Sequence, residues 1–231
     1  LLVGVCALSF NAQALAPLDT KVKYAIVMDY DTGTVMYEKQ GYELMVPASM
    51  SKLMTVYVLF DKLKAGIIKE TDEFRMSHDL FMKYGRRPGK KNDDSTMFIE
   101  ENQLVKVSDL LQGIIVLSGS DACGLAAEGS TGSENTFVEE MNHIAKEIGL
   151  EKSSFRNVTG LYDAAHLMTP YELAILAKKI ISEFPEYYKI FAEKSFAFGI
   201  NRTTGKPIEQ QNRNPLLWAN VYGADGLKTG H

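Results

Sequence analysis

Pro47-Ala48-Ser49-Met50-Ser51-Lys52-Leu53-Met54-Thr55-Val56-Tyr57-Val58-Leu59-Phe60 is the stretch whose reading decides the fold. After Lys52 it is apolar almost all the way round, which predicts a helix buried inside the protein, entered through Pro47 and ending at about Lys64, just before Gly66. Ser49 and Lys52 are three positions apart, so their side chains share a face about one turn from each other. A lysine at the start of a buried helix is costly unless it is paired or has lost its proton. A neutral amine one turn from a hydroxyl is a general base beside a nucleophile. Ser-x-x-Lys nevertheless arises by chance about once in 250 residues of ordinary composition, and taken alone it reads as an N-cap serine followed by a solvated lysine. The pair acquires meaning only from the rest of the chain.

Upstream, Tyr24-Ala25-Ile26-Val27-Met28-Asp29 and Thr34-Val35-Met36-Tyr37 flank Asp31-Thr32-Gly33, the pattern of a β-hairpin in which Gly33 supplies a positive φ. Leu1 to Phe10 is a short apolar run followed by Asn11-Ala12-Gln13-Ala14. Ten apolar residues are too few to span a bilayer but suit the apolar region of a secretory signal, with Ala12-Gln13-Ala14 as a small-x-small cleavage site. Residues 1–14 are therefore expected to be the remnant of a signal peptide, and the protein to be exported to the periplasm or cell envelope; a buried N-terminal strand is the alternative. Cys6 would leave with the leader, and Cys123 falls in a helical pattern where a buried thiol with no chemical role is expected.

Downstream, the pattern weakens from Thr71 to Lys106, a span that includes the basic run Gly85-Arg86-Arg87-Pro88-Gly89-Lys90-Lys91, read as a solvated turn with, as the functional alternative, a rim attracting an anionic polymer. Ser108 is expected to cap a short apolar helix from Asp109 to Leu117, which stops at Ser118-Gly119-Ser120; Ser120 would then cap a helix beginning at Asp121. A helix over about Glu134 to Ile148 is closed by Gly149, and Phe155 to Gly160 is a loop. Thr169-Pro170-Tyr171-Glu172 is a capping box with proline at the first helical position, opening a helix to about Glu183; Ser195 to Ile200 alternates as a strand does.

With 231 residues, 45% hydrophobic, the chain can bury one sizeable core or two lobes sharing one. A net charge of −4 gives no electrostatic case for nucleic acid as a partner. The four histidines, His78, His143, His166 and His231, show no metal-ligand spacing, so neither a metal nor any other cofactor is expected. Asp163 and His166 invite a Ser-His-Asp triad, but such a triad is recognised by geometry, and Lys52 beside Ser49 already supplies a base.

Two further short signals follow the first. Ser118-Gly119-Ser120 is a tight link between apolar helices that can project a hydroxyl into a cleft. Lys228-Thr229-Gly230, a triplet expected by chance about once in 4,000 residues, suits a strand edging a cleft: lysine attracts a carboxylate, threonine donates a hydrogen bond, and glycine lets an extended ligand approach the backbone. In the order Ser-x-x-Lys, Ser-x-Ser, Lys-Thr-Gly these resemble the penicillin-binding protein and serine β-lactamase superfamily. Leu110-Leu111-Gln112-Gly113-Ile114-Ile115-Val116, Phe184-Pro185-Glu186-Tyr187-Tyr188, Asn212-Arg213-Asn214-Pro215-Leu216-Leu217 and Asp225-Gly226-Leu227-Lys228-Thr229-Gly230-His231 narrow the resemblance to the low-molecular-mass D-alanyl-D-alanine carboxypeptidases, over about residues 19 to 231.

The resemblance implies an α+β fold: an antiparallel sheet flanked by helices, built from 19–70 and 165–231, with an inserted helical lobe at 71–164. It implies that Ser49 attacks the D-Ala-D-Ala peptide bond of a peptidoglycan stem peptide and that Lys52 takes its proton, its pKa lowered by burial and by Lys228. Ser118 would relay a proton to the leaving amine. Ser120, Lys228, Thr229, Gly230 and His231 would bind substrate, Lys228 and Thr229 gripping its carboxylate, with the backbone N–H groups of Ser49 and His231 as oxyanion hole. β-Lactam antibiotics would acylate the same serine. Two departures stand out. The family usually has asparagine where this chain has Ser120, which is expected to weaken turnover. The family also continues with two more strands between the Lys-Thr-Gly strand and the N-terminal hairpin, so residues 15–231 alone are expected to fold poorly, and membrane attachment through a C-terminal amphipathic helix is a family expectation. A class A-like β-lactamase would need a glutamate before an asparagine, for which the Glu151 to Asn157 loop fits poorly; a non-catalytic peptidoglycan-binding protein has only Ser120 in its favour.

Overall fold

The computed structural model describes residues 20–87, 94–201 and 203–230. The expected leader, the oxyanion contribution of His231 and the Lys90-Lys91 part of the basic run lie outside these residues. Strand β1 (Ala25–Met28) pairs antiparallel with β2 (Val35–Lys39) as the hairpin pattern predicts. Asp29 Oδ1 accepts from the Thr32 backbone N–H at 2.8 Å and from its hydroxyl at 2.6 Å, and Gly33 takes φ +72° where a side chain would be strained.

A short 3-10 turn, Ala48–Ser51, leads into α1 (Lys52–Lys64). Met54, Val58, Leu59 and Phe60 are wholly buried, so α1 is the central helix its all-round apolar sequence demands. It packs against α3 (Val107–Ile115), α5 (Glu134–Glu147) and α6 (Pro170–Glu183), and Phe60 stacks on Tyr187 with ring centres 4.9 Å apart. The weakly patterned stretch holds β3 (Glu73–Arg75), α2 (His78–Tyr84) and β4 (Leu104–Lys106), with β3 and β4 antiparallel. Their three-residue strands are too short to show an alternation in sequence.

Two helix starts differ from expectation. α3 begins at Val107, not Asp109, and Ser108 does not cap it. β4 runs straight into the helix, and the Val107 and Ser108 N–H groups already bond to Asp72 O (2.9 Å) and Glu70 O (3.1 Å). α4 (Ser120–Thr131) includes Ser120 as its first residue, with Gly119 at the N-cap. At α6, Thr169 Oγ1 accepts from Glu172 N at 3.0 Å as expected, but the Glu172 carboxylate does not return to Thr169. It is drawn instead to Lys152 N (2.8 Å) and Ser153 Oγ (2.6 Å), which ties the 150s loop to α6.

Beyond α6 come α7 (Pro185–Tyr188), β5 (Ser195–Ile200), β6 (Pro207–Gln211) and α8 (Pro215–Trp218). Among the described residues pairing is antiparallel throughout, in three separate two-stranded ladders. The β1–β2 hairpin leans on α6, whereas β5–β6 leans on α3 and sends Gln210 Nε2 to Thr96 O at 3.0 Å. Residues 224–230 form no ladder, so Lys228-Thr229-Gly230 is not the strand its sequence predicts: a strand exists by pairing, and none of the described strands pairs with it. No helix among the described residues is long and apolar enough to cross a membrane.

Candidate active site

Pro47 and Ala48 turn the chain sharply into α1, and Ala48 does so at φ +49°, a backbone conformation that costs a residue with a Cβ about 1–3 kcal/mol. The turn leaves Ser49 half-buried and points Lys52, 2% exposed, inward. Lys52 Nζ lies 3.1 Å from Ser49 Oγ and 2.5 Å from the Thr159 carbonyl oxygen. The loop that carries Thr159 is fixed on α1 from the next turn, where Thr55 Oγ1 donates to Val158 O at 2.8 Å. Gly160, at φ +76°, lies so close to the Ser49 turn that a Cβ there would sit 2.1 Å from Ala48 O. Asn157 Oδ1 accepts from the N–H groups of Thr159 (3.1 Å) and Gly160 (2.8 Å), shaping the loop tip.

Burial is the main cause that pushes the Lys52 pKa down from its usual value; Arg213 adds to it, opposed by Cys123, Asp94 and Asp121. Lys228 is pushed down to about 7, first by burial and then by the charge of Lys52. Lys52 and Lys228 feel each other's charge, and that repulsion works against both being protonated at once, as the sequence reading expects. Two ammonium groups that feel each other titrate as a pair, and burial disfavours the charged form of both. Cys123 is fully buried beside both lysines, its thiol pushed up to about 12. It is inert, as its helical pattern implied.

Ser118 stands at the α3–α4 link with φ +61°. Its Oγ is buried and has no hydrogen-bond partner among the described residues. Its neighbours are pinned: Gly119 N donates to Gly113 O (2.9 Å) and Ser120 N to Ser95 O (2.8 Å). Asp121, wholly buried, accepts from Met97 N (2.9 Å), Ile99 N (3.1 Å) and Ala122 N (2.9 Å), stitching the 95–99 segment to α4. Opposite, Gly230 lies against the Ser49 turn, its Cβ position 3.1 Å from Met50 Cγ and 3.3 Å from Pro47 O. Lys228 Nζ reaches Thr229 O at 3.1 Å, and Asn214, which caps α8, also holds Gly226 O through Nδ2 at 2.8 Å.

A chain region matching the family model described as D-alanyl-D-alanine carboxypeptidase, peptidase S11, runs over residues 11–231. The chain belongs to this family. It is 35% identical to D-alanyl-D-alanine carboxypeptidase DacA of Haemophilus influenzae, over 99% of this chain and 56% of that protein. It is 38% identical to DacC of Escherichia coli, over 89% of this chain and 49% of that one. Penicillin binding protein 5 from Haemophilus influenzae superposes with a TM-score of 0.85 at 35% identity, covering 94% of this chain and 59% of its own. The chain thus spans about half the length of the curated relatives it matches.

Ser49 and Thr159 both contact the Lys52 amine, and Gly230 abuts the same turn; Ser118 and Ser120 are buried at the α3–α4 link. The Asp163–His166 pair forms no relay, because Asp163 Oδ1 accepts from Ala165 N and His166 Nδ1 from Arg156 N. Among the described residues no cluster of three histidine, cysteine or acidic side chains could hold a metal ion. A groove of about 1050 Å³ between Phe98, Arg86 and the β5–β6 hairpin is not lined by Ser49, Lys52, Ser118 or Lys228. Sequence reasoning missed Thr159 O, a backbone acceptor that carries no side-chain signal. It also missed Asp121, although an aspartate in a first helical turn beside Ser-x-Ser is a visible cue.

Proposed function

We propose that this chain carries the acylating machinery of a serine-type D-Ala-D-Ala carboxypeptidase acting on peptidoglycan stem peptides in the bacterial envelope. The observation that carries the reading is the 3.1 Å contact between Ser49 Oγ and a lysine amine that is 2% exposed. A neutral Lys52 donates one N–H to Thr159 O, which aims its lone pair at the Ser49 hydroxyl. As Ser49 Oγ attacks the carbonyl of the terminal D-Ala-D-Ala bond, Lys52 takes the proton. Ser118 Oγ, with no competing partner among the described residues, gives its proton to the leaving amine as it takes the one held by Lys52; the C–N bond breaks, D-alanine departs and Lys52 is neutral again. Lys228 and Thr229 hold the terminal carboxylate, Gly230 lets the peptide lie close, and water then releases the trimmed peptide. Ser120 lines the same link with one short donor. A β-lactam, which presents a strained amide and a carboxylate in like positions, acylates Ser49 and leaves slowly.

The test is mass spectrometry of the protein after benzylpenicillin, with a pentapeptide D-alanine release assay alongside. An adduct on the peptide containing Ser49, together with D-alanine release that Ser49→Ala abolishes, is expected. An adduct elsewhere, or release undiminished in Ser49→Ala, would overturn the assignment. Adduct formation without D-alanine release would favour a non-catalytic penicillin-binding role.

A further inference from the structure

We propose that His166 is a positioning residue for the base lysine: a buried, neutral imidazole that holds the 156–160 loop so that the Thr159 carbonyl stays on Lys52. This rests on the reading of Ser49 and Lys52 given above.

The loop that carries Thr159 is a closed excursion. Its stem is a pair of reciprocal backbone bonds, Ser154 N to Leu167 O (2.8 Å) and Leu167 N to Ser154 O (3.0 Å), and Ser154 Oγ also donates to Ala165 O. Above the stem the chain must rise to Thr159 and return. On the rising side the Arg156 N–H has one acceptor among the described residues, His166 Nδ1 at 3.3 Å. On the returning side His166 N bonds to Asp163 O at 3.0 Å. The ring, 1% exposed, stands edge-on to Phe155 at 5.5 Å between centres. It therefore ties the returning limb of the loop, on which it sits, to the rising limb at Arg156, three residues before Thr159.

The chemistry of the ring specifies its state. Nδ1 accepts from Arg156 N, so the single proton of a neutral imidazole sits on Nε2. Nε2 is buried and has no partner among the described residues. A buried donor left unpaired is retained only against a cost, and a leucine or phenylalanine beside Phe155 would fill the space without it. The ring is there for its other nitrogen. Burial, the largest cause, holds the imidazole neutral with a pKa lowered to about 4, against the opposing charge of Asp163. Protonation would turn Nδ1 from acceptor into donor, set it against the Arg156 N–H, and release the loop.

The experiment is the kinetics of benzylpenicillin acylation, separating the acylation rate constant from the dissociation constant of the initial complex and normalising to the fraction of protein that can be acylated. His166→Leu is expected to lower the rate constant about 10- to 100-fold, the scale on which a misplaced catalytic group is felt, and to leave the dissociation constant within about threefold. His166→Asn, whose Oδ1 can stand where Nδ1 stands, is expected to recover the rate to within about threefold of wild type. Thr55→Val, which removes the other anchor of the same loop, is expected to lower the rate constant in the same way and serves if His166→Leu does not fold. A purely structural ring would lower only the acylatable fraction. A normal rate constant in His166→Leu, in Thr55→Val where the leucine variant does not fold, or equal impairment of the asparagine and leucine variants, would overturn the proposal while Ser49 acylation itself stands. Absence of any Ser49 adduct in the wild type would instead remove the reading beneath it.

Discussion

The two ends of the candidate cleft are built differently. The Ser49–Lys52 turn is held on every side: by the apolar core around α1, by Thr159 O, by Thr55 gripping Val158, and by Gly160 pressed against Ala48. Among the described residues the Lys228–Gly230 segment pairs with no strand, and its half-buried lysine hydrogen-bonds to the next residue's carbonyl. A group whose partners come from the core is preorganised, and burial lowers the pKa of its amine. Lys228, lowered to about 7 first by burial and then by the charge of Lys52, titrates near neutrality. On the proposal above, the chemistry sits on the side held by the core and the recognition on the other.

The sharpest way to break this contrast is Lys52→Ala. Removal of a general base costs roughly 10²- to 10⁴-fold in rate, and the acylation rate constant is expected to fall in that range with initial binding little changed. Retention of the rate within tenfold would end the division of labour. Lys228→Ala should do the reverse. Loss of a hydrogen bond to a charged group is worth about 1.5–3 kcal/mol, so the KM for a D-Ala-D-Ala peptide is expected to rise roughly 10- to 150-fold while kcat changes much less. The pH dependence sharpens the same point. Lys228 is cationic below about pH 7 and neutral above it, so KM should climb as pH rises through 7, whereas kcat should rise with pH until Lys52 is fully neutral. A KM flat from pH 6 to 9 would contradict it.

Asp121 supports the link between the two sides. Asp121→Asn turns a donor toward one of the N–H groups its carboxylate accepts, and about 2 kcal/mol of stability is expected to be lost at pH 7 in urea unfolding. Burial raises the Asp121 carboxyl from 3.8 to about 6, against the backbone N–H groups that favour the charged form. Its neutral form therefore contributes stability that is complete below pH 3.8 and is lost as pH rises through 6; the asparagine variant should lack that slope. The smallest effect belongs to Ser120→Asn, expected to raise D-alanine release a few-fold by adding a longer amide at the Ser118 link; no gain would show that serine is sufficient there.

Much of this was legible in the residues because the signals were local. The Gly33 turn, the all-round apolar run after Lys52, the proline and threonine that open α6, and the alternation of Ser195 to Ile200 each state their own structure. What escaped depended on partners distant in sequence. Ser108 lost its capping role because Asp72 and Glu70 carbonyls reach the start of α3 first. Glu172 left its capping box for Lys152 and Ser153. The β3–α2–β4 stretch is too short to set a period. In the site, Ser49 and Lys52 were legible from their spacing. Thr159 is joined to Lys52 across more than a hundred residues through a carbonyl that every residue type possesses, and no composition or spacing marks it. Arg213, which adds to the lowering at Lys52, comes to it only through the packing of the chain after β6, and no local signal marks it.

The central claim is that Lys52 is an uncharged amine at working pH. Its most direct test is the titration of its own resonance in protein carrying lysine labelled with carbon-13 at Cε, assigned by its absence in Lys52→Arg. A chemical shift that titrates well below the ordinary 10.5 is the result expected. A Lys52 signal that stays that of an ammonium group up to 10.5, in protein that still acylates at pH 7, would contradict it.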